Sequence, residues 1–282
     1  MKSQRTLAYL LLLPSTLFLL AFFVVPFIQV AWLGLTVEGQ PTFQHFQTLS
    51  ADWKFGPAMK NTFMLVGILV PLQVIFALAM AQMVAKLERA RDIILYIWTI
   101  PLGVSDLAAG LIWLAILEQT GFLNSFLNAV GLIKGQVNWL QYGNMWALLT
   151  AVVLAEIWRS TALMLVILVA GMGLIPKEYA EAAEVFGAGP WKRFFKVTLP
   201  LLKPSLQTAL ILRTILAFEV FGVAAALTGT NLPVLLGETF NWQFNLQDRS
   251  VASAYALIVL AISVAFTLVF LRVLRVRSEQ RA

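Results

Sequence analysis

The sequence predicts an all-α protein that crosses a bilayer six times, and three observations carry that prediction. Hydrophobic side chains make up 60% of the 282 residues and charged ones only 12%, too few polar groups to clothe a water-facing surface. Six apolar runs each have the roughly 20 residues that a helix needs to cross about 30 Å of hydrocarbon. Between these runs Lys and Arg gather in alternate segments, which is how a membrane protein marks its cytoplasmic side.

The expected spans are 7–33, 59–85, 93–117, 145–173, 205–227 and 251–273. The first follows Lys2 and Arg5 as a signal peptide would. Its apolar run is long and no small-residue cleavage site follows, so an uncleaved span is expected, bent near Pro14 and Pro26. One alternate set of segments holds Lys2 and Arg5, then Lys86, Arg89 and Arg91, then Lys177, Lys192, Arg193, Lys196 and Lys203, then Arg272, Arg275, Arg277 and Arg281; the other holds only Lys54, Lys60, Lys134 and Arg249. Both termini are therefore expected in the cytoplasm. The external stretches 34–58, 118–144 and 228–250 carry Trp53, Trp139, Tyr142, Trp146 and Trp242 near span ends, where an interfacial aromatic belt is expected, and His45 as an ordinary loop residue.

Several function classes are excluded or weakened. The chain has no cysteine and one histidine, so disulfides and cysteine-based metal or redox sites are ruled out, and neither a metal-ligand cluster nor a nucleophile–histidine pair is visible for a membrane-embedded enzyme. No metal site or catalytic residue is expected. The net charge of +6 is spread between spans instead of forming one patch, which argues against nucleic acid. No Gly-x-x-x-x-Gly-Lys-[Ser/Thr] phosphate loop occurs.

The segment 174–204, between the fourth and fifth runs, is the most informative. Pro176 can begin a helix, Glu178 and Glu181 suit its positive N-terminal end, and Gly187 offers a stop. Pro190 can start a second helix whose Trp191, Phe194 and Phe195 face the bilayer while Lys192, Arg193 and Lys196 face headgroups. Glu181, Ala182 and Ala183, then Gly187, then Val197, Leu199 and Pro200 stand at the spacing of the cytoplasmic loop of ABC importer permeases, which this segment resembles. Shorter matches resemble the carbohydrate-type branch of maltose, trehalose and glycerol-phosphate permeases: Pro101, Trp113, Gly121, Asn124 and Leu127; Leu174-Ile175-Pro176; Trp191, Phe194 and Pro204; and Phe218 with Leu227-Thr228-Gly229. Phe186 departs from that pattern, where many relatives have Asp, and Thr230-Asn231 interrupts the usual Gly-Gly-Pro.

The resemblance implies the type I ABC importer permease fold, with a cytoplasmic coupling helix whose Glu181, Ala182, Ala183 and Gly187 dock on a separate ATPase. It implies residues 1–58 as an N-terminal span with its external loop and 59–282 as the permease core. It also implies partners: a second permease with which the chain forms a heterodimer, two ATP-binding subunits that use ATP and Mg, and an extracytoplasmic solute-binding protein, all at a prokaryotic inner membrane. The expected function is half of a sugar or polyol path. A permease for a phosphate ester or peptide is the alternative, and an ion-coupled carrier, which could also use buried acids, is opposed by the docking loop.

Asp106, Glu156, Arg159, Arg213 and Glu219 fall inside the predicted spans, where each costs on the order of 3 kcal/mol at mid-helix. Each must face a cavity or a partner. Glu156 and Arg159 are three residues apart and can pair on one helical face. At ~1.5 Å per residue, Asp106, Glu156, Arg159 and Glu219 reach about 20–25 Å from the cytoplasmic ends and Arg213 only about 12 Å. The first four are the substrate-path candidates, with Glu219 and Arg159 expected as neighbours. Two readings stand open, a salt-bridge network holding spans together and a lining that accepts hydrogen bonds from substrate hydroxyls. The single excess acid among the five favours a neutral polyol.

The charge pattern predicts the labelling of single cysteines in this naturally cysteine-free chain. Cysteines at Ser3, Ala188 and Ser278 should be shielded from an impermeant external thiol reagent, and cysteines at Gln44 or Asn241 should react. External labelling at Ala188 in intact cells would overturn the arrangement.

Overall fold

The computed structural model describes residues 2–87 and 89–274, with side chains from residue 10 onward. Met1, Glu88 and 275–282 lie outside the described residues, and with them the cations Arg275, Arg277 and Arg281 of the charge pattern. Five helices among the described residues are long and apolar enough to cross a membrane, and a sixth is reached when Pro190–Leu201 and Lys203–Phe218, bent by 72°, count as one span. The strands among the described residues form one hairpin, pairing Thr36–Val37 with Gln40–Pro41. Its turn places Glu38 and Gly39 at φ 52° and 79°, the left-handed pair that a two-residue hairpin loop requires.

Two predicted spans are not continuous. The run 93–117 is a helix Arg91–Thr99, a 3-10 turn Ile100–Gly103 and a second helix Asp106–Leu117. Pro101, which has no amide hydrogen and clashes with the preceding turn, breaks it, and Ser105 caps the restart by accepting from the Ala108 amide at 3.2 Å. The run 205–227 stops at Phe218, passes through Glu219–Phe221 in non-helical backbone, and resumes as Gly222–Thr228. Apolar periodicity reads straight across both breaks.

The chain forms two compact units. One comprises Met1–Gly56 and Leu235–Ala261. Here the N-terminal span consists of helices Lys2–Leu19 and Val25–Leu35 joined by a widened π turn at Leu20–Val24, between Pro14 and Pro26. Most of its apolar side chains are exposed, as suits a lipid-facing segment. Gly34 lets this span approach Ser253 and Ala254, since a Cβ there would lie 3.3 Å from the Ala254 amide nitrogen. Asp52 ties the loops: its Oδ2 accepts from Trp242 Nε1 at 3.1 Å and from the Tyr255 hydroxyl at 3.0 Å. Beside it, burial pushes the Glu238 carboxyl above the usual carboxylate range while Lys54 at 3.8 Å opposes that shift. His45 lies in the short helix Gln44–Ala51 and not in a loop, with its Nε2 3.1 Å from the Thr36 carbonyl.

The other unit comprises Pro57–Val234 and Ile262–Ala282. It contains two apolar cores. One gathers Leu65 and Leu69 from the Phe55–Ala85 helix, Ala109 and Leu117, Leu148, Val152 and Ala155 from Met145–Gly173, and Val223 and Leu227. The other gathers Ala77, Ala81 and Val84, Met164, Leu165 and Leu168, with Leu202 and Ala209. Trp139, expected as part of an aromatic belt, donates from Nε1 to Asn124 at 3.1 Å, and Asn124 also holds both polar groups of the Val137 backbone, which staples the loop 118–144. Trp242 in the first unit is likewise engaged, whereas Trp53 and Trp146 stay exposed as a belt predicts.

The Asp106–Leu117 and Gly222–Thr228 helices approach closely at Gly110, where a Cβ would lie 2.6 Å from the Ala226 Cβ and 2.9 Å from the Val223 Cα. Backbone cannot yield there as a flexible side chain would. Gly110→Val should destabilise the subunit by about 1–3 kcal/mol or more through overpacking, read as a lower thermal midpoint and yield in detergent. Gly67→Val, at a position with nothing within 4 Å, should leave both unchanged.

Candidate functional site

Between the two cores of the larger unit lies a layer of charge. Gln73 follows Leu72 of one core and precedes Val74 of the other; Glu156, Arg159 and Ser160 hold the corresponding level on Met145–Gly173, and Arg213 on Lys203–Phe218. Glu156 is the hub. Its Oε2 accepts from Arg213 Nη2 at 2.9 Å and from the Ser160 hydroxyl at 2.8 Å, and its Oε1 accepts from Arg159 Nε at 3.2 Å and Nη2 at 3.0 Å. Gln73 completes the ring by accepting from Arg213 Nε and donating to the Glu156 backbone carbonyl at 2.9 Å.

Arg159 also reaches Asp106, Nη2 to Oδ1 at 3.0 Å. Asp106 opens the helix after the first break, and its Oδ2 accepts the Gly222 amide, the first residue after the second break. One carboxylate therefore joins both interruptions. Gly222 permits this, because a Cβ there would stand 2.7 Å from that oxygen. Exposure grades along the chain of contacts: the Arg213 and Glu156 side chains are 1% and 0% exposed, Arg159 20% and Asp106 33%.

Of the predicted site residues, Asp106, Glu156 and Arg159 are thus brought together, and the Glu156–Arg159 pair forms as its spacing implies. Two expectations are corrected. Arg213 does not lie apart from the others, because its long side chain carries the guanidinium to Glu156. Glu219 does not pair with Arg159, whose two charge partners are Asp106 and Glu156. Glu219 is exposed at the C-terminal end of Lys203–Phe218, with no hydrogen-bond or ion-pair partner among the described residues. The layer balances two acids with two bases, so the excess acid is Glu219.

Gln73, Ser160 and Gly222 were missed. Gln73 had a signal, being an amide inside an apolar run where an unpaired polar group is costly. Gly222 had none, since it contributes only its backbone.

The segment 174–204 folds as its residues imply. Helix Lys177–Val185 carries Glu181, Ala182 and Ala183 and ends in a Schellman motif: the Gly187 amide donates to the Glu184 carbonyl at 2.8 Å and the Ala188 amide to Ala183 at 2.9 Å. Gly187 stands at φ 71°, which a residue with a Cβ adopts only with strain. Glu181 and Ala182 are exposed, and Val185 and Phe186 at the tip are 86% and 88% exposed. Arg193 forms an ion pair with Glu184, fastening this helix to the next, which starts at Pro190 as expected and continues into a π turn Phe194–Thr198. Among the described residues no group of three or more His, Cys, Asp or Glu is placed to hold a metal.

Comparison with known proteins decides the family. Residues 62–280 match the model of the binding-protein-dependent transport system inner membrane component. The chain belongs to this family. It is a multi-pass inner-membrane transport subunit, not an enzyme, and it has the type I ABC importer permease fold. Among its relatives, a trehalose/maltose transport system permease protein, MalF of Thermococcus litoralis, is 32% identical over 98% of this chain and 96% of its own. A sulfoquinovosyl glycerol transport system permease protein, SmoG of Agrobacterium fabrum, is 33% identical over 97% and 92%. In fold, the permease is similar to a chain of a bacterial ABC transporter involved in the import of the acidic polysaccharide alginate, with a TM-score of 0.85 and 21% identity over 98% of this chain and 97% of that one.

The layer makes an unequal prediction for this permease. Arg213→Met leaves Glu156 buried against one remaining cation and should cost about 3–5 kcal/mol, with loss of assembled protein. Combining it with Glu156→Gln should restore part of the yield. Glu219→Gln, which removes no partner, should leave the thermal midpoint where it was.

Proposed function

We propose that this permease forms half of the path of an ATP-driven importer for a neutral sugar or polyol, and that Glu219 and the accessible Asp106–Arg159 edge of the charge layer face that path. The observation that carries this is Glu219: an acid at the negative end of a helix dipole, exposed, without a counter-charge, in a break inside a span. Nothing about that position serves stability. A carboxylate with free lone pairs beside interrupted helices suits hydroxyl donors, and broken spans are where transporters build solute sites. The excess negative charge disfavours an acidic substrate. A relative 32% identical is named for trehalose/maltose transport, which supports a neutral sugar, and one 33% identical for sulfoquinovosyl glycerol, a sulfonated sugar, which supports the sugar class alone.

In the same proposal, Glu181, Ala182, Ala183 and Gly187 dock on a separate ATPase that hydrolyses ATP with Mg. Small side chains on an exposed face let two backbones approach closely, and the exposed Val185 and Phe186 offer apolar area at the tip. A second permease, two ATP-binding subunits and an extracytoplasmic binding protein complete the importer, with both termini in the cytoplasm. Residues 1–58 then form the N-terminal span with the first external loop, and 59–282 the permease core. Glu156, sealed from solvent, belongs to the scaffold of the path and not to its lining.

Uptake per assembled complex and copurification of the ATPase test both halves. Glu219→Gln should assemble normally and transport several-fold more slowly or with altered sugar preference, and Gly187→Val should insert in the membrane yet lose ATPase and uptake. Unchanged uptake and preference in Glu219→Gln would remove that residue from the path, and full copurification in Gly187→Val would end the docking role.

A further inference from the structure

A cavity of about 480 Å³ opens where the Met145–Gly173 helix ends and the docking helix begins. Its wall is apolar, formed by Val169, Met172 and Ile175, and two cations line it from segments far apart in sequence: Arg91, after the turn that follows the Phe55–Ala85 helix, and Lys177, at the start of the docking helix. Glu178 is the single acid in the lining. Lys86 and Arg89 nearby in the sequence are offset by Glu88 and Asp92, so the attraction rests on the two cations of the lining.

We propose that this cavity binds an anionic phospholipid, its headgroup between Arg91 and Lys177 and the upper part of an acyl chain against Val169, Met172 and Ile175. The combination of walls selects the ligand class. A small free anion gains attraction from the two cations but nothing from the apolar wall, and a zwitterionic lipid or an uncharged solute gains the reverse. Only an amphiphile with a negative head uses both. The level is also right, since both cations belong to segments that the charge pattern assigns to the cytoplasmic headgroup region. The first turn of the docking helix lines the cavity, so a bound lipid would tie Lys177 to the end of the preceding span. This inference rests on the proposed orientation for the leaflet involved, but not for the binding itself.

The test uses the assembled complex in nanodiscs of mixed phosphatidylglycerol and phosphatidylcholine, extracted in mild detergent, with retained lipid read by native mass spectrometry. The wild type should keep phosphatidylglycerol in preference to phosphatidylcholine, and R91A/K177A should keep several-fold less of it. Met172→Trp, which fills the cavity without touching charge, should do the same, whereas Lys134→Ala, at a cation of another loop, should match the wild type. Equal phosphatidylglycerol retention by wild type and both cavity variants would overturn the site. Displacement of the lipid by inorganic phosphate alone would overturn the lipid in favour of a small anion. Cysteine labelling at Ala188 reports orientation separately, so failure of one reading is distinguishable from failure of the other.

Discussion

Glu156 and Arg213 face each other at 2.9 Å with side chains almost wholly withdrawn from solvent, and the larger unit is arranged so that neither charge is left wanting. Taking such a pair out of water costs several kcal/mol per ion and is recovered only when every remaining lone pair and hydrogen is engaged. That demand recruits Ser160 and Arg159 to the carboxylate and Gln73 to the guanidinium. Three helices, Phe55–Ala85, Met145–Gly173 and Lys203–Phe218, are thereby fixed in height relative to one another. An apolar contact slides at little cost, but a buried, hydrogen-bonded ion pair does not.

The same constraint explains why two spans are interrupted. Arg159, placed by Glu156, needs its second acid, and Asp106 supplies it from the first turn of a helix that begins only because Pro101 ended its predecessor. Asp106 then uses its other oxygen on the Gly222 amide, where the second interruption ends. The breaks are therefore held by the charge layer and are not loose joints. Glu219 lies within the second one and takes no part in that bookkeeping, which separates it from its four charged neighbours.

Much of this was legible in the sequence. Apolar run length located the spans, because the thickness of hydrocarbon dictates it, and Pro176 and Gly187 marked the short helix between the fourth and fifth runs down to the residue that ends it. The partners of the charges were less legible. Spacing along one helix revealed the Glu156–Arg159 pair, but pairing between helices depends on rotation and on side-chain reach, so Arg213 was placed too far away and Glu219 too near Arg159. Interruptions at Pro101 and at Glu219–Phe221 were hidden because hydropathy continues across them. The roles of Trp139 and Trp242 as hydrogen-bond donors were hidden for a related reason: position near a span end says where an indole sits, not what its nitrogen meets.

The charge layer divides the apolar interior, with Leu65, Leu148 and Val223 in one part and Ala81, Leu165 and Ala209 in the other. Side-chain volume is a quantity shared among touching residues, so a change of size must be answered by a neighbour. Here the answer is confined to one part, since the polar stratum between them transmits position but not volume. Substitutions in the two parts are thus free to accumulate on separate schedules, and compensating pairs in diverging descendants of this chain should fall on the same side of Glu156.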